Sequence, residues 1–377
     1  MFNDCLQGIR VLDLSQYIPG PFATQILADL GASVVKVEPP GGDPMRSFML
    51  LDEDGRSPLY KQINAGKQLV ELDLKSPDDR ALFEELVVKA DVLLESYRPG
   101  VMERLGFSRE RLQQLNPRLI HCALSGFGQT GPARLRAGHD LTYLAMSGSL
   151  GISGTAETPA MAFAPVADHA GAMLATTAIL AALLRRASSN RGAYLDLSLF
   201  EAALFWQSIG LTAAQRPGQA LARGRDLLTG GAACYQIYRT ADARFVALAP
   251  IEEKFWATFC QAVERPDWIA RQFEAMPQSG LIAEVQELFN RRSLAEWQQL
   301  LAEVDCCFEP VLELAEVCDH PQVQARQLLQ RQQPPPRADV LFAAWVDGLP
   351  PRPRPELTQI SADQARSVWS TVVGSDE

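Results

Sequence analysis

Short apolar runs alternate with amphipathic stretches through the first half of the chain. Residues 9–14 (IRVLDL), 34–38 (VVKVE), 69–74 (LVELDL), 91–95 (DVLLE), 119–124 (LIHCAL) and 193–198 (AYLDLS) have the length and content of buried strands. Between them, residues 22–30, 76–89 and 108–115 repeat apolar positions at helical spacing. Pro19-Gly20-Pro21 opens the first of these helices and Gly31 ends it, while Ser76-Pro77-Asp78-Asp79 opens the second. Longer helical stretches cover 170–186 and 199–213, the latter read as a linker between halves. Strands alternating with helices predict an α/β fold whose parallel sheet is built from right-handed crossovers of the Rossmann type. The Gly/Pro-rich segment 126–132 is a surface loop.

From about Arg225 the pattern changes. Residues 234–238 and 244–249, joined by a turn at 241–243, predict a hairpin, and helices follow over 253–262, 280–290 and 293–303. This is a smaller α+β domain. The last segment is rich in Pro and Arg, with a strand predicted near 340–346, a Pro334-Pro335-Pro336 run and a tail from Ser361. The domain expectation is therefore residues 1–200 with 322–377, a helical linker over 201–225, and a small domain over 226–321.

Composition narrows the function classes. The chain has 377 residues, 47% hydrophobic and 21% charged, which fits two ordinary globular domains. A net charge of -10 argues against a general nucleic-acid or anionic-membrane surface. The 7 cysteines show no C-x-x-C spacing and the 4 histidines no ligand spacing, so no metal site and no disulfide framework is expected. The N-terminus lacks a leader pattern and no run approaches a membrane-spanning length, so the expected location is cytoplasmic.

Candidate chemistry concentrates in residues 136–173. Gly138-His139-Asp140 opens a small-residue segment, and Asp168 stands between the apolar residues 162–166 and Ala170-Gly171-Ala172. A carboxylate at such a junction caps the helix that follows. The same placement beside an imidazole serves to move protons or to attack a carbonyl, and the two readings are compatible. His169 should point away from its neighbour, His121 lies inside a strand, and Asp140 should bond backbone. The turn after the first strand, Ser15 to Pro21, has no G-x-G-x-x-G, so a dinucleotide site is not expected even though Glu38 ends the second strand. No G-x-S-x-G marks a serine hydrolase.

Several stretches together resemble the family III coenzyme A transferases, a group that includes the 2-methylacyl-CoA racemases. They are GIRVLDL (8–14) through PGP (19–21), LGA (30–32), VKVEP (35–39), LDLK (72–75), YRPGVMERLG (97–106), SGFGQTGP (125–132), GHD (138–140), Asp168, and Asp305-Cys306 to DHPQV (319–323). The resemblance implies a large Rossmann-like domain built from both chain ends, a small domain, and an interlocked homodimer. It implies a CoA thioester as substrate, with no permanently bound cofactor. Catalysis would fall to Asp168, His139 and Glu252. The thioester would be bound by Ile18, Val37, Glu38, Leu72, Leu74, Lys75, Tyr97, Arg98, Pro99, Met102, Arg104, Gly138, Asp140 and Tyr143. Lys75, Arg98 and Arg104 suit the phosphates of CoA; Arg46, Lys61 and Lys67 are weaker candidates. The Gly-His-Asp triplet and Ile251-Glu252 resemble racemase-type members, in which Glu252 would orient the imidazole. The absence of a glycine-rich loop after residues 235–238 points the same way, whereas Thr229-Gly230-Gly231 departs from the family's Asp-Gly-Gly. The expected reaction is epimerisation of a 2-methylacyl-CoA by two-base proton transfer. Transfer of CoA to a carboxylic-acid acceptor through Asp168 is the alternative, and a non-catalytic CoA-binding role the next.

Overall fold

The computed structural model describes residues 4–332 and 337–370, which pack as two compact units. The larger takes residues up to 143, 164–205 and from 318 onward; the smaller takes 144–163 and 206–317. Residues 144–163, placed by the sequence pattern in the large domain, and 206–225, read as linker, thus both pack with the smaller unit.

The six apolar runs of the first half form strands β1 (Arg10–Asp13), β2 (Ser33–Glu38), β3 (Gln68–Glu71), β4 (Val92–Glu95), β5 (Ile120–Ser125) and β6 (Ala193–Ser198). The later strands are β7 (Gln236–Arg239), β8 (Phe245–Leu248), β9 (Phe308–Pro310), β10 (Leu329–Gln332), β11 (Arg337–Val340) and β12 (Thr358–Gln359). The large unit's sheet has the order β12-β3-β2-β1-β4-β5-β6, with every neighbouring pair parallel. Parallel strands covered on both faces must bury both sets of side chains, which is why β4 and β5 are buried at every position. Strand order reverses between β1 and β4, and clefts for ligands open at the carboxyl ends of strands beside such a switch point.

Helix Pro19–Asp29 starts on a proline, whose missing N–H would have gone unpaired in the first turn anyway. Helix Val166–Ser189 begins earlier than the predicted residue 170 and packs on that first helix and on β5 and β6. By length and composition alone it could cross a membrane, which corrects the expectation that no stretch approaches that size. It carries Asp168 in its first turn and a buried Arg186 paired with Asp91 at 2.8 Å, and its small-residue face is buried in the large unit. The predicted helix over 199–213 is two, Leu199–Phe205 and Ser208–Ala214.

In the smaller unit β7, β8 and β9 form an antiparallel sheet. Its core holds fully buried Trp256, Trp268 and Trp297. Each indole N–H finds an acceptor: Trp256 donates to the Trp268 carbonyl at 3.0 Å, Trp297 to the Phe289 carbonyl at 3.0 Å, and Trp268 to Glu284 at 2.9 Å.

The chain's end departs from expectation. The strand predicted near 340–346 is absent; β11 precedes it and pairs antiparallel with β10. Asp347 and Gly348 both take positive φ, turning the chain back so that only Val346 and Leu349 pair there. The tail contains helix Ala362–Ser367, opened by a capping box between Ser361 and Gln364. Residues 371–377 of that tail, and Pro334-Pro335-Pro336, lie outside the described residues.

Candidate functional site

The carboxyl ends of β1, β4 and β5 and the start of helix Val166–Ser189 carry most of the candidate residues of the large unit. Hydrogen bonds from main-chain N–H groups stitch the switch point together: Leu14 N–H donates to the Leu94 carbonyl at 2.8 Å, and Gln16 N–H to the Ser96 side-chain Oγ at 3.0 Å. Tyr17 and Ile18 follow β1 and Tyr97 and Arg98 follow β4, while the loop after β5 leads to Gly138, His139, Asp140 and Tyr143.

Asp168 is not the cap of its helix. Pro165 holds that position, and the capping oxygen comes from Asp140, whose Oδ1 accepts from Ala167 N–H at 2.6 Å and Asp168 N–H at 3.1 Å. Asp140 therefore does the structural work that local sequence suggested for Asp168, whose own carboxyl takes no part in capping the helix. Burial, helped by the negative charge of Asp140, pushes that carboxyl up to about 7.

His139 sits immediately before helix Asp140–Met146 with its side chain exposed. Its main chain is pinned: the N–H donates to Thr142 Oγ1 at 3.1 Å, and the carbonyl accepts from the Thr142 hydroxyl at 2.7 Å and the Thr142 N–H at 2.8 Å. The Tyr17 ring lies near-perpendicular to the imidazole, centroids 6.2 Å apart. Gly138 is required at its position, because a Cβ there would lie 2.6 Å from the Tyr143 ring. Burial, then the charge of Asp168, raises the Tyr143 phenol to about 12, against the pull of Arg98. Asp168, Asp140, Arg98 and Tyr143 thus share one electrostatic neighbourhood. His169 takes no part in it; its Nδ1 lies 2.6 Å from the Pro165 carbonyl and its ring packs on Phe22. His121 is buried beside Glu95, with burial holding it near 4.

The predicted nucleotide contacts fall into two groups. Lys75, Arg98 and Arg104 are exposed, with no side-chain ion pair among the described residues. Pro99, Gly100 and Arg104 line a hollow of about 790 Å³ together with Gln129, Arg134 and Asp196. Met102 is buried, and Tyr97 packs on the same core. The other group faces inward. Val37, Leu72 and Leu74 belong to the core, so what they offer a ligand comes from their main chain. Glu38 is spent inside the unit, accepting from the Tyr60 hydroxyl at 2.7 Å and Asp43 N–H at 2.8 Å and pairing with Arg46 at 2.7 Å.

The weaker cation candidates are likewise committed. Lys61 pairs with Asp52 and Asp54 at the surface. Lys67 is fully buried, neither solvated nor free for phosphate, and donates to Asp13 at 3.0 Å, Asn64 at 2.9 Å and the Pro21 carbonyl at 2.8 Å. Burial lowers Lys67 to about 8; burial alone would raise Asp13, but Lys67 and Lys36 hold it well below the usual carboxylate range. In the smaller unit, Glu252 occupies the cap position of helix Glu253–Ala262, exposed and making no side-chain capping bond.

Sequence reasoning missed Tyr17 and the buried pair Lys36–Asp43 beneath it, 3.1 Å apart. One signal was present: a lysine inside the otherwise apolar strand SVVKVE.

Comparison with known proteins places the chain. The profile of CoA-transferase family III matches residues 6–359. Human alpha-methylacyl-CoA racemase is 36% identical over 323 residues, 84% of this chain and 80% of that protein. Acetyl-CoA:oxalate CoA-transferase of Acetobacter aceti is 34% identical over 331 residues, 85% of this chain and 84% of that protein. Among solved structures, a CaiB/BaiF family protein from Brucella suis superposes with a TM-score of 0.82 at 24% identity, over 97% of this chain and 98% of that one, which speaks for the fold alone. A Mycobacterium tuberculosis protein gives 0.80 at 28% identity, over 95% and 97%. With the match running nearly end to end, the chain belongs to CoA-transferase family III and is an acyl-CoA enzyme.

Proposed function

We propose that the protein epimerises the α-carbon of a 2-methylacyl-CoA thioester by proton transfer between His139 and Asp168. The observation that carries this reading is the Asp168 carboxyl, pushed up to about 7. At neutral pH such a group exists in both protonation states, which is what a residue that removes a proton in one direction and returns it in the other requires. The α-proton passes to one of the two groups, the electron pair moves into the thioester carbonyl, and the other group delivers a proton to the opposite face. The enolate oxygen would gain from the positive end of helix Val166–Ser189. Ile18, Gly138 and Tyr143 would shape the acyl end, with Asp140 holding the helix start. Exposed Lys75, Arg98 and Arg104 would meet the phosphates of CoA, beside Tyr97, Pro99 and Met102.

A second reading is favoured by the transferase relative, which at 34% stands beside the racemase at 36%. There Asp168 attacks the thioester carbonyl and CoA leaves as its thiolate, giving a mixed anhydride. The thiolate then attacks the Asp168 carbonyl, releasing the donor acid and leaving an aspartyl-CoA thioester. The acceptor carboxylate attacks that thioester to form a second anhydride, which the thiolate opens as the new thioester, freeing Asp168. One incubation separates the two. Either epimer in deuterated water should exchange its α-proton and epimerise. A new thioester formed from a free carboxylic acid, with a hydroxylamine-trappable enzyme intermediate, would instead establish the transferase. Asp168→Ala should abolish either activity. His139→Ala should slow epimerisation by more than ~10²-fold and only dent a transferase.

We further propose that the enzyme works as an interlocked homodimer in the cytoplasm. Exposed Phe205, Trp206, Ile209 and Leu211 supply apolar surface for a second copy, and seven free cysteines suit a reducing compartment. Light scattering should give twice the chain mass.

A further inference from the structure

Close to the proton-transfer groups, Tyr17 departs from ordinary backbone chemistry. It holds φ at 61°, in the left-handed region that a bulky side chain disfavours. The fold keeps it there from both sides. Tyr17 N–H donates to Asp43 Oδ1 at 3.3 Å, and Asp43 is a buried carboxylate paired with Lys36 at 3.1 Å. Lys36, with no solvent exposure, also donates to the Ser15 carbonyl at 2.7 Å. Buried charge therefore pins the main chain around Tyr17, while its side chain stands 43% exposed. That side chain meets His139, ring centroids 6.2 Å apart and planes at 79°. Strain of this kind persists only where the surroundings over-determine it, and it gathers at functional sites.

We propose that Tyr17 is a positioning residue for His139, its ring bracing the imidazole so that it addresses one face of the acyl α-carbon. Among the described residues the hydrogen bonds of His139 are all made by its main chain, so the neighbouring ring is what narrows the imidazole's rotation. The contact stands on geometry; its kinetic consequence rests on the racemase reading above.

Two variants test it. Tyr17→Gly removes the ring and suits the left-handed backbone, so the fold is kept; Tyr17→Phe keeps the ring. With each 2-methylacyl-CoA epimer in deuterated water, Tyr17→Gly should slow α-proton exchange about 10- to 100-fold for the epimer that His139→Ala also impairs. Exchange from the other epimer should hold, the melting temperature should not fall, and Tyr17→Phe should restore the wild-type pattern. Equal loss for both epimers, or none for either, overturns the proposal. NMR of ring-labelled histidine gives a reading independent of activity. The His139 signal, identified by its loss in His139→Gln, should move in Tyr17→Gly while those of His121, His169 and His320 stay. An unmoved His139 signal overturns the proposal whatever the reaction. If the wild type exchanges neither epimer, the racemase reading fails and the NMR result alone decides on Tyr17.

Discussion

A carboxylate in the first turn of a helix is ordinarily favoured by the helix's positive end. Asp168 runs against that tendency because burial and the neighbouring charge of Asp140 outweigh it. Its native value lies near 7, above the ~3.9 of an unfolded chain. Between those values the native state holds more protons than the unfolded one, so stability falls as pH rises through the window and the cost is complete above about 7. Asp168→Asn should therefore be inactive yet melt higher than the wild type at pH 8, by up to about 4 kcal/mol before allowing for its residual solvent contact. Calorimetry should show the gain shrinking toward pH 4; a gain independent of pH would contradict this account of the carboxyl. Asp168, His139 and Asp140 stood out in the sequence because a lone imidazole and two acids interrupt a small-residue segment. Tyr17 did not, since nothing local marks a tyrosine that a distant buried ion pair holds in the left-handed region.

At the scale of elements, the start of the helix that carries Asp168 shows why boundaries were harder to read than strands. No local side chain caps Val166–Ser189; the oxygen comes from Asp140, far back in the chain. The pattern therefore pointed to residue 170, where the small-residue run begins. Strand runs were legible because β1, β2, β4 and β5 bury nearly every position, and β12 was not, because two exposed polar residues become a strand only by pairing with β3. The loop after β1 is held by charges below it. Asp13 accepts from Ser15, Thr24 and Lys67, all buried. Lys67→Met should leave the Asp13 carboxylate short of its partner and cost about 3–5 kcal/mol in urea unfolding, with Asp13→Asn added to it recovering part of the loss. A loss under about 1 kcal/mol would show that the pair is not needed.

For the whole molecule, the two chain ends build one unit. Arg354 grips Asp29 through two nitrogens at 2.7 and 2.6 Å, β12 extends the sheet beside β3, and Trp369 packs in the same core as β1 and β2 while donating to Ser33 at 2.9 Å. Trp369→Ala should destabilise this unit by about 3–5 kcal/mol, seen as a lower denaturant midpoint. The sequence pattern carried the layered α/β class and the resemblance carried the join of the two ends, because Pro- and Arg-rich residues near 350 show no periodicity of their own. In a chain of net charge -10, the proposed phosphate contacts are a few exposed cations, Lys75, Arg98 and Arg104, rather than a basic face. The most direct test of the central claim is face-resolved deuterium exchange in the two single variants. His139→Ala should still exchange the α-proton of one 2-methylacyl-CoA epimer and Asp168→Ala that of the other, with neither variant epimerising. Exchange of the same epimer by both, or of neither by the wild type, would contradict the two-base account.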